Sequence, residues 1–234
     1  MLEKSQTPRL FSSIARRYDL LNHVLSANLD CRWRRALVDM AEVTERAAVL
    51  DVAAGTADVA IEFARRTHAG SIVALDRSAE MLAVGRAKAD GARLSRPGRI
   101  AFVEADALDM PFGNEEFDVV AIAFGLRNLP DCARGIGEMA RVLKRRGRLV
   151  VLEFFPPRGG WLQQAYLLYL RTLVPVTGRI VSGSREAYRY LSDSIRTFIP
   201  REDIVRLMEA AGLEDIRARR QSGGISDLYR GVKP

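Results

Sequence analysis

Two acidic residues and a turn of small residues stand where a sheet could bind a nucleoside. Residues 48–53 form an apolar run that Asp51 interrupts, and the small residues 54–57, Gly55 among them, follow directly. A glycine lets the backbone approach a ligand, and the helix that begins after the turn presents unpaired N–H groups. Asp76 ends a second apolar run, 25 residues after Asp51, near the offset of a ribose-binding carboxylate in α/β nucleotide folds. These residues predict a site for a small adenosine-bearing ligand.

The composition of the turn excludes two common phosphate-binding loops. Gly55 is its single glycine, so the turn is neither the G-x-G-x-x-G loop of dinucleotide enzymes nor a P-loop. Two further apolar runs follow, at residues 100–103 and 117–124, and the first leads into the acidic stretch 104–106. The carboxyl ends of parallel strands meet at one edge of a sheet, so we expect the ligand crevice at that edge.

The elements that must position these residues alternate between strand and helix. The predicted strands are residues 48–53, 70–76, 100–103, 117–124 and 148–154, with helices at 57–67, 78–90 and 132–143 and a turn at 144–147. Such alternation indicates right-handed crossovers and a mostly parallel sheet. N-terminal helices at 9–22 and 33–40 either cap the sheet edge or fold over the crevice.

The alternation of strands and helices ends after the fifth predicted strand. Residues 156–160 end that strand, and residues 161–174 form a helix that is apolar nearly all round, which makes it buried, interfacial or membrane-facing. A tyrosine-rich segment follows at 187–199, and a helix at 201–211. Two closing strands at 213–221 and 225–232, joined at residues 222–224, predict a hairpin at the end of the sheet.

The composition of the chain limits the kinds of catalytic site that it can form. The chain has 234 residues, of which 48% are hydrophobic, enough for one domain, and it contains no apolar run long enough to span a bilayer. The start has no apolar segment of a signal peptide, and Cys31 and Cys132, far apart, indicate reduced thiols in a cytoplasmic protein. His23 and His68 are the two histidines, so we expect no metal site, no Ser-His-Asp triad and no histidine acid–base chemistry.

The net charge of +7 permits an anionic partner without demanding one. The basic groups at residues 32–35, 144–148 and 217–220 are scattered, as expected of solvated faces. We therefore expect no nucleic-acid partner, while an anionic membrane surface remains compatible with the charge.

Several motifs together resemble one family. VLDVAAGTAD (49–58), EADALDMPF (104–112), FDVVAIAFGLRN (117–128) and AYRYLSDSI (187–195) are similar to the ubiquinone/menaquinone biosynthesis C-methyltransferases (UbiE/MenG type). The resemblance covers nearly the whole chain. It implies a class I methyltransferase (Rossmann-like) α/β fold with a seven-stranded, mostly parallel sheet and an antiparallel C-terminal hairpin strand. Residues 1–234 would form a single domain, with a helical N-terminal cap (1–45) and a helical substrate-cover insertion (155–200).

The resemblance also implies the cofactor and the residues that bind it. The methyl donor would be S-adenosylmethionine, with no metal. Gly55 and Thr56 would hold its methionine end, Asp76 would bind the ribose hydroxyls, and Asp106 and Ala107 would contact the adenine.

The implied reaction is methylation of a quinol ring carbon, which becomes nucleophilic as the adjacent phenol loses its proton. Arg127 and Asn128 follow the fourth strand, where the methyl group would be presented. A guanidinium is a poor base, so Arg127 would stabilise the phenolate directly or through water. Tyr18 could hydrogen-bond the same ring.

The implied substrate is a polyprenyl quinol, foremost demethylmenaquinol, with the methoxy-benzoquinol of ubiquinone biosynthesis as the alternative, or both. A sterol or small-molecule methyltransferase and a non-catalytic scaffold of the same fold are the competing interpretations. The polyprenyl tail implies a protein at the cytoplasmic, inner face of a membrane, bound peripherally, and a homodimer is left open. The sequence departs from the family at Asp227 and Tyr229, where small or apolar residues and a histidine are usual. If that segment lines the quinol site, its polarity is altered.

Overall fold

The computed structural model describes residues 19, 23, 26, 28–92, 100–182 and 185–234, with the backbone alone at 162, 173–182, 185–189 and 191. The predicted helix at residues 9–22 and Tyr18 therefore lie outside the described residues, apart from Asp19. Within the described part of the chain, no helix is both long and apolar enough to cross a membrane.

The described chain mostly alternates strands and helices up to its fifth strand and then adds three helices before the closing hairpin. The helices are α1 (Leu29–Ala41), α2 (Asp58–Arg66), α3 (Ala79–Gly91), α4 (Cys132–Val142), α5 (Gly160–Ser182), α6 (Arg185–Arg196) and α7 (Arg201–Ala210). The strands are β1 (Ala48–Val52), β2 (Ser71–Asp76), β3 (Ile100–Glu104), β4 (Phe117–Ala123), β5 (Leu143–Phe154), β6 (Glu214–Gln221) and β7 (Ser226–Val232).

The strands form one sheet in the order β3-β2-β1-β4-β5-β7-β6. The pairs from β3 to β5 are parallel, and β7 is antiparallel to both of its neighbours. The predicted fold class and closing hairpin are thus confirmed. The strand order reverses between β1 and β4, which is where open α/β sheets bind their ligands.

Helices cover both faces of the sheet because side chains alternate along each strand. Leu50 and Val52 face one core with α4 and α7, whereas Val49 faces the other with α1 and α2. Two helix starts follow the predicted chemistry: Ser78 accepts a bond from Met81 N at 3.2 Å, and Asp131 accepts one from Arg134 N at 2.9 Å.

Two predicted boundaries were wrong. β5 begins at Leu143, not Arg148, because the predicted turn at 144–147 is an irregularity inside the strand, where Arg146 has a φ of 62°. α5 continues to Ser182, past the predicted end at 174, through Pro175 and Gly178. Both residues disfavour a helix interior, and the packing of α5 along α6 overrides that local preference.

Candidate active site

A cleft of about 1020 Å³, partly open to solvent, lies at the carboxyl ends of β1 to β4. Its walls come from the loops after these strands and from one residue of α1, so they combine apolar surface with a few charged groups. This is the edge at which the sequence predicted a ligand crevice. Of the predicted site residues, Gly55, Thr56, Asp76, Asp106, Ala107 and Asn128 line it.

The loop after β1 has an unusual backbone. Ala53, Gly55 and Ala57 have φ values of 53°, 56° and 61°, in the left-handed region that non-glycine residues rarely adopt. A Cβ built on Gly55 would lie 3.3 Å from Met81 Cε, so a side chain there would crowd the space between this loop and α3. The loop is shaped to bring its backbone against whatever fills the cleft.

Asp76, at the end of β2, is held by backbone donors. Its Oδ2 accepts from Gly55 N at 2.8 Å and its Oδ1 from Ser78 N at 2.9 Å. Burial raises the pKa of this carboxyl, and the N–H groups that bond it oppose the rise. Each carboxylate oxygen can accept a further bond, so Asp76 can bind a pair of hydroxyls in the cleft.

We expect Asp76→Ala to weaken binding of S-adenosylmethionine by about 10- to 100-fold, because hydrogen bonds to a charged group contribute about 1.5–3 kcal/mol. Isothermal titration calorimetry measures this directly. Asp39→Ala is the control, since Asp39 pairs with Arg66 on the surface and is not a cleft residue. Equal affinities for Asp76→Ala and the wild type would contradict the ribose role.

The end of β3 offers the predicted adenine contacts. Asp106 Oδ1 accepts from Leu108 N at 2.9 Å, and its Oδ2 lies 3.5 Å from an Arg77 nitrogen. Ala107 is buried, and Leu129 lies in the same cleft wall, so the carboxylate stands beside apolar surface. A flat aromatic base with an exocyclic amine matches such a pairing.

Thr56 lines the cleft, but its hydroxyl is hydrogen-bonded to protein side chains. Its hydroxyl donates to Asp19 Oδ1 at 2.5 Å and accepts from Lys88 Nζ at 3.2 Å. The side chain is 2% exposed, and the hydroxyl is committed to these protein partners. The sequence could not indicate this arrangement, because the partners are 37 and 32 residues away along the chain.

Asp51 is a cleft residue that the sequence presented as an interruption of a strand. It is 1% exposed, and its Oδ2 accepts from Ala60 N at 3.0 Å. Burial raises the pKa of Asp51 to about 8, with the neighbouring Asp76 and Asp58 adding to the rise and Arg34 opposing it. The carboxyl is therefore largely protonated at neutral pH.

This raised pKa predicts a pH dependence of stability. The folded protein binds the Asp51 proton more tightly than the unfolded chain, so the stabilisation is complete below about pH 4 and is lost as the pH rises to about 8. Asp51→Asn keeps an acceptor for Ala60 and carries no titrating group. As the pH rises across that window, its free energy of unfolding should therefore increase relative to that of the wild type by up to about 1.4 kcal/mol per pH unit. Urea denaturation at a series of pH values tests this, and parallel curves for the two proteins would contradict it.

Arg127 lies in the short helical turn after β4 and is 2% exposed. Its guanidinium donates to Glu153 Oε1 at 2.8 Å and to the Phe124 carbonyl, while its backbone N donates to Glu153 Oε2 at 3.1 Å. Glu153 is fully buried, and the guanidinium carbon lies 5.4 Å from the centre of the Phe154 ring. Arg127 Nε is buried with no hydrogen-bond partner among the described residues.

Asn128 connects the cleft to the helices inserted after β5. Its side-chain nitrogen donates to the Phe124 carbonyl at 3.3 Å, and its Oδ1 accepts from the Tyr190 hydroxyl of α6 at 3.1 Å. Asn128 lines the cleft, whereas Arg127 is not among its lining residues in the described chain. Arg127 and Asn128 are thus neighbours in one turn, and of these two predicted catalytic residues it is Asn128 that lines the cleft. Tyr18 lies outside the described residues.

Asp227 and Tyr229 lie elsewhere, in β7. Both are buried, and Asp227 Oδ2 accepts from Arg201 Nε at 2.6 Å and lies 3.4 Å from the Tyr229 hydroxyl. Neither is among the cleft-lining residues of the described chain. Their departure from the family pattern therefore belongs to a buried ion pair with α7 and not to the cleft.

Sequence reasoning missed four charged residues: Arg34 and Asp58 in the cleft wall, Lys88 beside it, and Glu153. Glu153 carried a usable signal, since it is the one charge in the apolar run 149–155. The other three stand on amphipathic helices, where charged residues normally face solvent.

Comparisons with known proteins agree on one family. The sequence model described as the ubiE/COQ5 methyltransferase family matches residues 1–233. The chain is 41% identical over 225 residues to a demethylmenaquinone methyltransferase of Thermus thermophilus, covering 96% of this chain and 100% of that protein. It is 40% identical over 226 residues to the ubiquinone/menaquinone biosynthesis C-methyltransferase UbiE of Pseudomonas paraeruginosa, covering 96% and 88%.

Solved structures support the fold. A SAM-dependent methyltransferase of Thermotoga maritima superposes with a TM-score of 0.68 at 16% identity, covering 97% of this chain and all of that one. At this identity the likeness bears on the fold alone.

Proposed function

We propose that this chain, which belongs to the ubiE/COQ5 methyltransferase family, methylates a ring carbon of a polyprenyl quinol. S-adenosylmethionine is the methyl donor. Demethylmenaquinol is the foremost substrate, and the methoxy-benzoquinol of ubiquinone biosynthesis is the alternative, since the relatives are named for both pathways.

The cleft residues suit each part of this donor. Asp76 would accept from the ribose hydroxyls, and Asp106 with Ala107 would take the adenine. The backbone of the Gly55 loop would lie against the methionine end, where Arg34 adds a positive charge and Asp51 a largely protonated carboxyl. When bound, the donor supplies an electrophilic methyl group on a sulfonium.

One observation carries the proposed chemistry: the unpartnered N–H of Arg127. A buried donor left without an acceptor costs about 1–3 kcal/mol, so an acceptor is expected to occupy this position during function. Because Arg127 is not among the cleft-lining residues of the described chain, a water molecule would accept from this N–H and donate to the phenolate oxygen in the cleft. A guanidinium is a poor base, so Arg127 would stabilise the developing phenolate and would not remove its proton.

Glu153 holds Arg127 in place for this role. It bonds both the guanidinium and the backbone N of Arg127, so the orientation of the side chain and of the turn is set by one buried carboxylate. Asn128, tied to Tyr190, would join this turn to the substrate cover formed by α5 and α6.

The test is transfer of label from S-adenosylmethionine to reduced, short-tailed demethylnaphthoquinol, with the matching benzoquinol in parallel. Label in the naphthoquinol alone supports the menaquinone pathway, and label in both supports a dual enzyme. Label in neither, with cofactor bound, would overturn the quinol proposal in favour of another acceptor. Failure of the cofactor itself to bind would favour the non-catalytic scaffold.

We also propose that the protein works at the cytoplasmic face of a membrane, bound peripherally. Trp161 and Leu168 of α5 are 78% and 61% exposed, and their spacing of seven residues puts them on one face of the helix. Arg171, three residues after Leu168 on the same helix, is also exposed and would favour anionic lipid.

Co-sedimentation with vesicles tests this surface. Wild type should bind vesicles rich in anionic lipid, and the Trp161→Ser, Leu168→Ser double variant should bind several-fold less while retaining methylation of a short-tailed quinol. Equal sedimentation of the two proteins would rule out α5 as the membrane contact.

A further inference from the structure

Lys88 is the centre of a compact cluster, here called the Lys88 cluster, that consists of Asp19, Thr56, Asp58 and Lys88. Lys88 Nζ lies 2.6 Å from Asp19 Oδ2 and 3.2 Å from Thr56 Oγ1, and it also contacts Asp58 Oδ1. Asp19 in turn accepts from Thr56 at 2.5 Å. All three ammonium protons thus have an acceptor: Thr56 and Asp58 come from the loop after β1 and the start of α2, and Asp19 comes from the part of the chain before α1.

The charges continue beyond the cluster in alternating sign. Asp58 Oδ2 lies 3.4 Å from an Arg34 nitrogen, and Arg34 Nη1 lies 2.5 Å from Asp30 Oδ2. Asp30 also contacts His23, at 2.8 Å. A chain of polar contacts therefore runs from Asp19 through Lys88, Asp58 and Arg34 to Asp30 and His23.

The cluster borders the cleft. Thr56, Asp58 and Arg34 line it, and Thr56 directly follows Gly55. A Cβ on Gly85 of α3 would lie 3.0 Å from the Thr56 carbonyl carbon, so the small residue allows α3 to pack closely on this loop. That packing brings Lys88, one turn later, within reach of Thr56.

We propose that Lys88 and Asp19 are positioning residues that hold the loop that binds the methyl donor. Their contacts fix the Thr56 side chain and Asp58, and through these the backbone of the left-handed loop. Binding of the donor and formation of the Lys88 cluster are therefore coupled, each strengthening the other. This inference rests on the proposed function only in that the cleft holds S-adenosylmethionine.

Without Lys88, two carboxylates would face each other across a partly buried gap. Asp19 and Asp58 are 23% and 22% exposed at their side chains, and Lys88 is the cation that bridges them. Their mutual repulsion would separate Asp19 from the loop, and Thr56 would lose the partners that orient it.

The experiment compares Lys88→Met, Asp19→Asn and the double variant by calorimetry with S-adenosylhomocysteine, at a temperature where all are folded. We expect each single variant to bind about tenfold more weakly, and the double variant to be no weaker than either single one, because both remove the same contact. Lys88→Arg should recover most of the affinity.

Lys144→Met is the matched control, because Lys144 forms a similar ion pair with Asp118 at 2.9 Å and is not a cleft residue. It should shift the melting temperature without changing affinity. Wild-type affinity in Lys88→Met with a lowered melting temperature would overturn the inference and leave the cluster merely structural. If the wild type itself fails to bind, the proposed function fails instead.

Discussion

Arg127→Met should lower the free energy of unfolding by about 3–5 kcal/mol and reduce turnover at least about 100-fold. The first effect arises because Glu153, fully buried, would lose its counter-charge and keep only backbone donors from Arg127 and Phe154. The second arises because the phenolate would lose its stabilising cation. Urea denaturation and labelled methyl transfer measure the two effects separately.

Because Arg127→Met alone mixes stability with catalysis, a second variant separates them. Adding Glu153→Gln removes the uncompensated charge and keeps one oxygen acceptor, for either the Arg127 or the Phe154 backbone N–H. The double variant should regain part of the lost stability and bind S-adenosylmethionine normally, yet remain inactive. Recovery of turnover along with stability would show that Arg127 is only a structural partner of Glu153.

Arg201→Met should destabilise the protein by a similar amount, about 3–5 kcal/mol, but leave the reaction intact. Arg201 bonds Asp227, which is 3% exposed, and also the Pro156 and Gly224 carbonyls. Asp227 Oδ1 already has no hydrogen-bond partner among the described residues, so loss of the guanidinium leaves this carboxylate with little compensation.

The matching variant is Arg201→Met with Asp227→Asn, which removes both charges. We expect it to recover part of the stability, and the kcat and KM of the folded fraction to equal those of the wild type with either quinol. A changed KM for the quinol would mean that Asp227 contributes to recognition of the substrate. Thermal unfolding and steady-state kinetics on the same preparations provide the comparison.

The two arginine pairs show where reasoning from sequence reaches its limit. The strands could be predicted because apolar runs such as 117–124 bury on both faces of a parallel sheet, and this placed Asp76 and Asp106 at one edge. Glu153 and Asp227 also stood out as charges in strands. Which arginine neutralises each one depends on packing between segments 26 residues apart, which local patterns do not contain.

The loop after β1 also shows what could be predicted from the sequence and what could not. Its small residues predicted a tight turn, and the left-handed φ of Gly55 agrees with that expectation. The left-handed Ala53 and Ala57 were not predictable, because alanine avoids this region unless the surrounding fold imposes it. Thr56 was predicted to bind the cofactor because it directly follows Gly55 in the loop. In the structure, hydrogen bonds with Asp19 and Lys88 determine where its hydroxyl points.

The place of β7 in the sheet has a consequence for the order of assembly. β7 lies between β5 and β6, and β6 pairs with no other described strand. The last of the described strands to be synthesised therefore completes the middle of that half of the sheet. Its partner Arg148 precedes Val232 by 84 residues, a long loop to close. During translation, the edge of β5 therefore stays open on the ribosome while the whole insertion emerges. The nascent chain has to protect that edge from pairing with other chains until β7 arrives.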